Sequence, residues 1–239
     1  MTDKIALAEL YHSVKGEGLY TGTPMTFVRL AGCSVGKPMR DDFAAQEPRL
    51  AEIFSGEQLA NQLPILKFNH PAWMCTAYDG RQFWCDTDFN KMTEATIEEI
   101  FDFVYEPRIC LTGGEPLMHE EIVQEIIEEA FHRNIHVHIE TSGKHFVEKR
   151  QGMWIACSPK IGYLSTMLNQ ADEIKLLVDE GFNINDVPPE VFEHELVWLQ
   201  PINNEMGIRS ENMAMCLDLL KLYPKWRLSP QVHKLIGVR

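Results

Sequence analysis

Arg108-Ile109-Cys110-Leu111-Thr112-Gly113-Gly114-Glu115-Pro116 opens as an apolar run of strand length and stops on two glycines, a carboxylate and a proline. Glu120 to His132 then repeats apolar side chains at helical spacing. This is a strand, a turn and a helix, and the unit recurs. Apolar runs rich in β-branched residues mark strands at Ile5 to Tyr11, Thr26 to Leu30, Arg108 to Leu111, Ile135 to Ile139, Trp154 to Ala156, Ile174 to Val178 and Val197 to Leu199. Amphipathic stretches at Thr96 to Val104, Glu120 to His132 and Glu211 to Leu222 lie between several of them. Such alternation predicts an α/β fold with a largely parallel sheet. The seven strands are too few and too unevenly spaced for eight complete units, so the expected form is an open or partial βα barrel.

The 239 residues, 45% of them apolar, can fill one core, and a single domain over 1–239 is expected. Residues 37–84 break the rhythm. They hold one plausible helix, Ala44 to Leu59, then a Pro- and aromatic-containing stretch without clear period, and read as an insertion in the main domain. A formal net charge of -13 would repel a phosphate backbone and no basic cluster offsets it, so no direct nucleic-acid partner is expected. The opening MTDKIALAEL carries no leader pattern and no apolar run approaches membrane-spanning length, which points to a cytoplasmic protein with no membrane partner. The six cysteines, Cys33, Cys75, Cys85, Cys110, Cys157 and Cys216, are then core thiols or metal ligands rather than disulfides.

Short polar or glycine-rich motifs follow the strands, at the ends that open on one face of a parallel α/β barrel. Cys33 follows the second strand, and Cys85 sits in Phe83-Trp84-Cys85-Asp86-Thr87; thiolates suit an iron-sulfur cluster, or equally a structural zinc or a buried thiol. In Thr112-Gly113-Gly114-Glu115-Pro116 the glycines allow close backbone approach to a ligand and the carboxylate can hold an ammonium; an ordinary turn reads the same way. Glu140-Thr141-Ser142-Gly143 and Cys157-Ser158-Pro159-Lys160 offer groups for ribose hydroxyls and a carboxylate, or simple caps. Gln200-Pro201-Ile202-Asn203 can face a ligand or merely end a strand. The tail Trp226 to Lys234 is aromatic and apolar enough to dock on the body. Near the amino end, Lys15 and Arg29 are candidate partners for an anion and Glu17 for the hydrogen-bond donors of a ligand, against the alternative of a buried Arg29–Glu17 pair.

In this order, Ser13 to Gly18, Phe27 to Cys33, Trp84 to Thr87, Thr112 to Pro116, Glu140 to Gly143, Ser158 to Lys160, Gln200 to Asn203 and Ser229 to Lys234 resemble the motifs of 7-carboxy-7-deazaguanine synthases, within the radical S-adenosylmethionine enzymes. The resemblance covers nearly the whole chain outside the insertion. It implies a homodimeric partial barrel that binds a 4Fe-4S cluster, S-adenosylmethionine and Mg2+, takes electrons from a small reducing flavoprotein, and contracts 6-carboxy-5,6,7,8-tetrahydropterin to 7-carboxy-7-deazaguanine with loss of ammonia. Such an enzyme is a carbon-nitrogen lyase of 7-deazapurine (queuosine-type) biosynthesis. By resemblance Cys33, Cys75 and Cys85 hold the cluster and Thr87 the magnesium. Trp84, Cys85, Asp86, Gly114, Ser158, Pro159, Lys160, Gln200, Pro201, Ile202 and Asn203 contact S-adenosylmethionine. Val14, Lys15, Gly16, Arg29, Thr112 and Arg239 contact the pterin, whose amidine edge would donate to Glu17. The cofactor carries the radical chemistry, and no protein side chain is assigned as a catalytic acid or base.

The chain departs from the family pattern in two places. Its cysteine spacing is C-x41-C-x9-C, with Lys37 where relatives carry an early second cysteine, which leaves Cys75 as third ligand and His70 as a substitute. Lys15 stands where glutamine is common. Cys110, Cys157 and Cys216 read as buried inert thiols. Rival readings are a different radical enzyme, such as a glycyl-radical activase, and a zinc-stabilised binding module on the same cysteines.

Overall fold

The computed structural model describes residues 4–38, 73–85, 87, 92–204 and 207–238. The chain opens with β1 (Ile5–Val14), β2 (Pro24–Leu30) and β3 (Lys37–Pro38), followed by β4 (Trp73–Thr76), β5 (Gln82–Cys85) and β6 (Thr93–Ala95). Helix α1 (Ile97–Phe103), β7 (Arg108–Gly113), α2 (Glu120–His132), β8 (His136–Thr141) and β9 (Met153–Cys157) come next. Then follow α3 (Ser165–Gln170), β10 (Glu173–Val178), α4 (Pro189–Glu193), β11 (Val197–Pro201), β12 (Asn203–Asn204), β13 (Gly207–Ile208), α5 (Ser210–Leu222), β14 (Arg227–Leu228) and α6 (Val232–Leu235). The expected helix Ala44 to Leu59 and His70 fall outside the described residues.

Nine strands form one sheet in the order β14-β11-β10-β9-β8-β7-β2-β1-β6. Its two ends are different strands, so the sheet is an open partial barrel, as the strand count predicts. From β2 to β14 the pairings are parallel. β1 and β6 pair antiparallel instead. The link from Val14 to Pro24 is too short for a crossover helix, so β1 and β2 form a hairpin rather than a βα unit. The stretch before Trp84, which lacks a clear period, contains the hairpin β4–β5, paired with β3 in a separate three-stranded sheet. Helix α1 starts with a capping box, Thr96 Oγ1 accepting from the Glu99 amide at 3.2 Å and the Thr96 amide donating to Glu99 Oε2 at 2.8 Å.

The parallel strands are two-faced, and that places the site. Val28, Leu30, Ile109, Leu111, Val137, Ile139, Ile155, Ile174, Leu176, Val197 and Leu199 alternate along them into one apolar core, packed against α2 residues Val123, Ile126 and Ile127. The intervening positions, Arg29, Thr112, Glu140, Lys175 and Gln200, point to the opposite face. Burying one such aliphatic side chain is worth about 1.5–3 kcal/mol, so a one-residue register slip would put this polar set into the core.

Candidate active site

Two adjoining cavities open at the carboxyl ends of the parallel strands. The larger, about 490 Å³, is lined among others by Val14, Lys15, Gly16, Arg29, Thr87 and Thr112. The smaller, about 210 Å³, is lined by Phe83, Cys85, Ser158, Lys160 and the run Gln200 to Asn203. Glu17, Gln231 and Lys234 belong to both.

An ionic network floors the two cavities, with Lys15 and Glu140 on the larger, Lys175 and Gln200 on the smaller and Glu17 on both. Lys15 Nζ lies 2.7 Å from Glu140 Oε1, and Lys175 donates to Glu17 Oε2 at 2.6 Å and also to Glu140 Oε2. Gln200 and Gln231 donate to Glu17 Oε1 at 3.2 and 2.7 Å. Burial pushes the Glu17 carboxyl up, but Lys175 and then Lys15 outweigh it and hold it well below the usual carboxylate range. Glu140 behaves alike: burial opposes ionisation, and the Lys15 and Lys175 ammonium groups more than offset it. Lys175 is desolvated too, yet Glu140 and Glu17 raise its pKa above the ordinary value. Two lysines against two carboxylates leave the floor electrically balanced, as buried charges require.

Arg29 reaches the larger cavity from β2. Its Nε is 3.3 Å from Glu9 Oε2, and its guanidinium donates to Tyr11 Oη at 3.1 Å and Thr87 Oγ1 at 3.4 Å. Glu17 is held by Lys175, so the Arg29–Glu17 pair considered from sequence is not the arrangement found, and Glu17 meets protein donors where a pterin edge was expected. Cys110, His138 and Glu140 bring donor atoms within 4.8 Å of one another beneath this floor. Glu140 already takes two ammonium groups, so a metal ion there would face Lys15 and Lys175; the trio is the end of the ionic network.

Glu115 does not project into either cavity. It is 1% exposed and accepts from Thr141 Oγ1 at 2.8 Å, the Ser142 amide at 2.7 Å, the Leu117 amide at 3.1 Å and also Ser142 Oγ. Its carboxylate ties the ends of β7 and β8 together. Gly114 has a similar reason: a Cβ there would sit 2.3 Å from both Cys33 Cβ and the Gly32 carbonyl oxygen, so what approaches the glycine is the cysteine loop.

Cys33 Sγ accepts the amides of Val35 and Gly36 at 3.4 and 3.1 Å. In the β4–β5 hairpin Cys75 pairs with Phe83 and Trp73 with Cys85, so Cys75 and Cys85 are diagonal neighbours on one face. Burial pushes the Cys75 thiol up to about 11; Lys160 works against that shift, while Cys85 and Cys33 lie close enough to add to it. Cys110, Cys157 and Cys216 are each buried with thiols pushed up to about 12, fitting inert core thiols. Cys75 and Cys85 on one hairpin face, with Cys33 near enough to act on Cys75 and itself held by backbone amides, make a donor set that suits a 4Fe-4S cluster, whose metal would draw the thiols to thiolates. Lys160, beside them, has its pKa lowered by burial and donates to Ser158 O and Oγ at 2.9 and 2.7 Å.

The tail docks across both cavities. Gln231 accepts from Asn203 Nδ2 at 2.8 Å, the Val232 amide donates to the Gly16 carbonyl at 2.9 Å, and Ser229 Oγ accepts from the Gly18 amide at 2.9 Å.

Set beside known proteins, the chain is 29% identical to the 7-carboxy-7-deazaguanine synthase of Aquifex aeolicus (strain VF5), over 98% of this chain and 94% of that protein. It is 29% identical to the enzyme so named from Bacteroides thetaiotaomicron and 27% to that of Escherichia coli (strain K12), with 96% or more of each chain covered. The chain resembles 7-carboxy-7-deazaguanine synthases from end to end. No family model matches it. The crystal structure of QueE from Escherichia coli superposes with a TM-score of 0.62 at 24% identity, covering 96% of this chain and 95% of that one, which establishes the shared fold.

Against the residues expected from resemblance to these synthases, the two cavities divide the set. Val14, Lys15, Gly16, Arg29, Thr112 and Thr87 line the larger; Cys85, Ser158, Lys160, Gln200, Pro201, Ile202 and Asn203 line the smaller. Trp84 lies in β5 opposite Met74, Pro159 is buried beside Lys160, and Gly114 faces Cys33. Asp86 and Arg239 fall outside the described residues. Sequence reasoning missed Lys175, which lies inside the apolar run Ile174 to Val178. Its signal was a lysine at the alternate position of a strand. Among the described residues no helix is long and apolar enough to cross a membrane.

Proposed function

We propose that the chain is a 7-carboxy-7-deazaguanine synthase, a radical S-adenosylmethionine lyase converting 6-carboxy-5,6,7,8-tetrahydropterin to 7-carboxy-7-deazaguanine. The observation that carries the reading is the adjacency of two cavities that share Glu17, Gln231 and Lys234, with Cys85 in the smaller and Arg29 in the larger. Two ligands seated there would touch, which is what transfer of a hydrogen atom between them demands.

Cys33, Cys75 and Cys85 are the residues that would hold the 4Fe-4S cluster. When bound, the cluster supplies one-electron cleavage of a sulfonium and so a carbon radical able to take a hydrogen atom. The remaining work belongs to the polypeptide. Phe83, Ser158 and Gln200 to Asn203 form the adenosylmethionine cavity beside the thiols. Arg29, with Thr87 at 3.4 Å, presents a fixed cation and hydroxyl to the substrate carboxylate, and Thr87 with a magnesium ion would complete its neutralisation. The balanced floor of Lys15, Glu140, Lys175 and Glu17 keeps its charges paired without help from the ligand. On the same reading the chain folds as one domain with an insertion at 37–84, works as a cytoplasmic homodimer and accepts electrons from a small flavoprotein.

Anaerobic reconstitution with iron and sulfide, then incubation with S-adenosylmethionine, reductant, magnesium and the carboxypterin, tests the reading. Native protein should form 7-carboxy-7-deazaguanine, and Cys75→Ala should neither hold a cluster nor turn over. Native protein that binds zinc and makes no product would refute the assignment.

A further inference from the structure

In the spacing C-x41-C-x9-C, chain connectivity does not hold Cys75 and Cys85 near Cys33. They ride on a hairpin whose strands, Trp73–Thr76 and Gln82–Cys85, are four residues each. A sheet this small has little stability of its own, so its pairing with β3, which begins four residues after Cys33, and its contacts with the main sheet together decide where the thiols sit.

Those contacts gather at the hairpin turn. Arg81 Nε donates to Asp79 Oδ2 at 2.7 Å, within the turn itself. Its Nη1 reaches Asp179 Oδ1 at 2.5 Å and its Nη2 the Leu177 carbonyl at 2.9 Å, both at the carboxyl end of β10. The guanidinium plane lies over Phe182, 5.3 Å from the ring centre. Asp179 is itself oriented by the Gly181 amide at 3.0 Å. Three edges of one planar group are thus used, a fit that a lysine cannot reproduce. The Ala77 amide donates to the Arg81 carbonyl at 2.8 Å, which closes the turn two residues from Cys75. A second pin lies alongside: Ala77 bridges Lys160, and the Ile161 amide donates to the Thr76 carbonyl at 3.2 Å.

We propose that Arg81 is a positioning residue that locks the β4–β5 hairpin onto the end of β10 and so holds Cys75 and Cys85 toward Cys33 before any cluster is present. The inference rests on the cluster reading given above for these cysteines. It makes the cradle preorganised by a clamp at the turn end of the hairpin, in a residue that lines neither cavity.

The test uses full-length native protein, Arg81→Gln and Asp179→Asn. Amide hydrogen exchange is measured on the iron-free chains, and iron release to a chelator, followed by visible absorbance, on the reconstituted ones. Loss of a charged hydrogen-bond partner should speed exchange at residues 73–85 by about tenfold or more in both variants, and iron release by the same order, while β7 and β8 keep native rates. Native exchange at 73–85 in both variants overturns the proposal, as does acceleration spread evenly over the whole sheet. A native chain that takes up no iron and sulfide defeats the cluster reading instead, and the exchange comparison still decides the role of Arg81.

Discussion

Lys15 and Glu140 show how single charges set the character of the larger cavity. Lys15 is 4% exposed and its nearest anion is Glu140 at 2.7 Å, so replacing it with an apolar residue leaves a carboxylate short of one partner. Breaking such a pair costs about 3–5 kcal/mol. The pH dependence follows from the sign of the shifts. Glu17 and Glu140 ionise more readily in the folded chain than the ordinary value of 4.5, so their contribution is complete above that pH and is lost as pH falls below it toward their depressed values. Lys175 is raised above 10.5, so its contribution is present below that value and fades at higher pH. Denaturant unfolding of native protein should therefore be insensitive to these groups between the two limits and weaken on the acid side. In Lys15→Met the Glu140 carboxyl rises toward its normal range, so its acid loss still begins near 4.5 but is smaller and ends at a higher pH than in native protein, on top of a neutral-pH loss of the size given. Equal stability of the two proteins at neutral pH would count against the network. The sequence offered Lys15 and Glu17 as site candidates because charges stand near an apolar strand, but the identity of their partners was not legible there.

Every strand expected from apolar periodicity is present, several extended by a residue or more; Arg108 to Leu111 runs on to Gly113 and Trp154 to Ala156 spans Met153–Cys157. The glycine pair after β7 was read as a place where a ligand comes close. Its structural role is tighter packing of the loop that carries Cys33 against the end of β7. Gly114→Ala puts a methyl group 2.3 Å from Cys33 Cβ and from main-chain oxygen, contacts that no rotamer change relieves. The cost should be about 1–3 kcal/mol in thermal or denaturant unfolding, with reduced iron uptake on reconstitution. Full iron uptake by this variant would mean that the Cys33 loop is free to move. The β4–β5 hairpin was not visible in advance, because a four-residue strand without polar–apolar alternation gives no periodic signal.

Across the whole molecule, the carboxyl-terminal tail joins the two cavities. Gln231 bridges Glu17 and Asn203, and Val232 holds Gly16, so residues far apart in the chain close one pocket system. Deleting residues 231–239 removes these bonds but keeps the β11–β14 pairing and the Ser229 amide bond to Leu199 at 2.9 Å, so the chain should still fold. Anaerobic calorimetry should show S-adenosylmethionine and carboxypterin each binding about tenfold more weakly or worse, as expected for loss of bonds to charged or buried partners. Unchanged affinities would restrict the tail to packing. The seven main strands, the open barrel and the sequence of loop motifs were written locally, in periods of two and 3.6 and in glycine and proline stops, whereas the strand order was not. Which charges meet was not, because Lys175 and Glu17 lie 158 positions apart and only the stacking of parallel strands makes them neighbours. The same holds for the clamp on the cysteine hairpin, where Arg81 and Asp179 are separated by 98 positions and pairing depends on tertiary packing rather than on any local pattern.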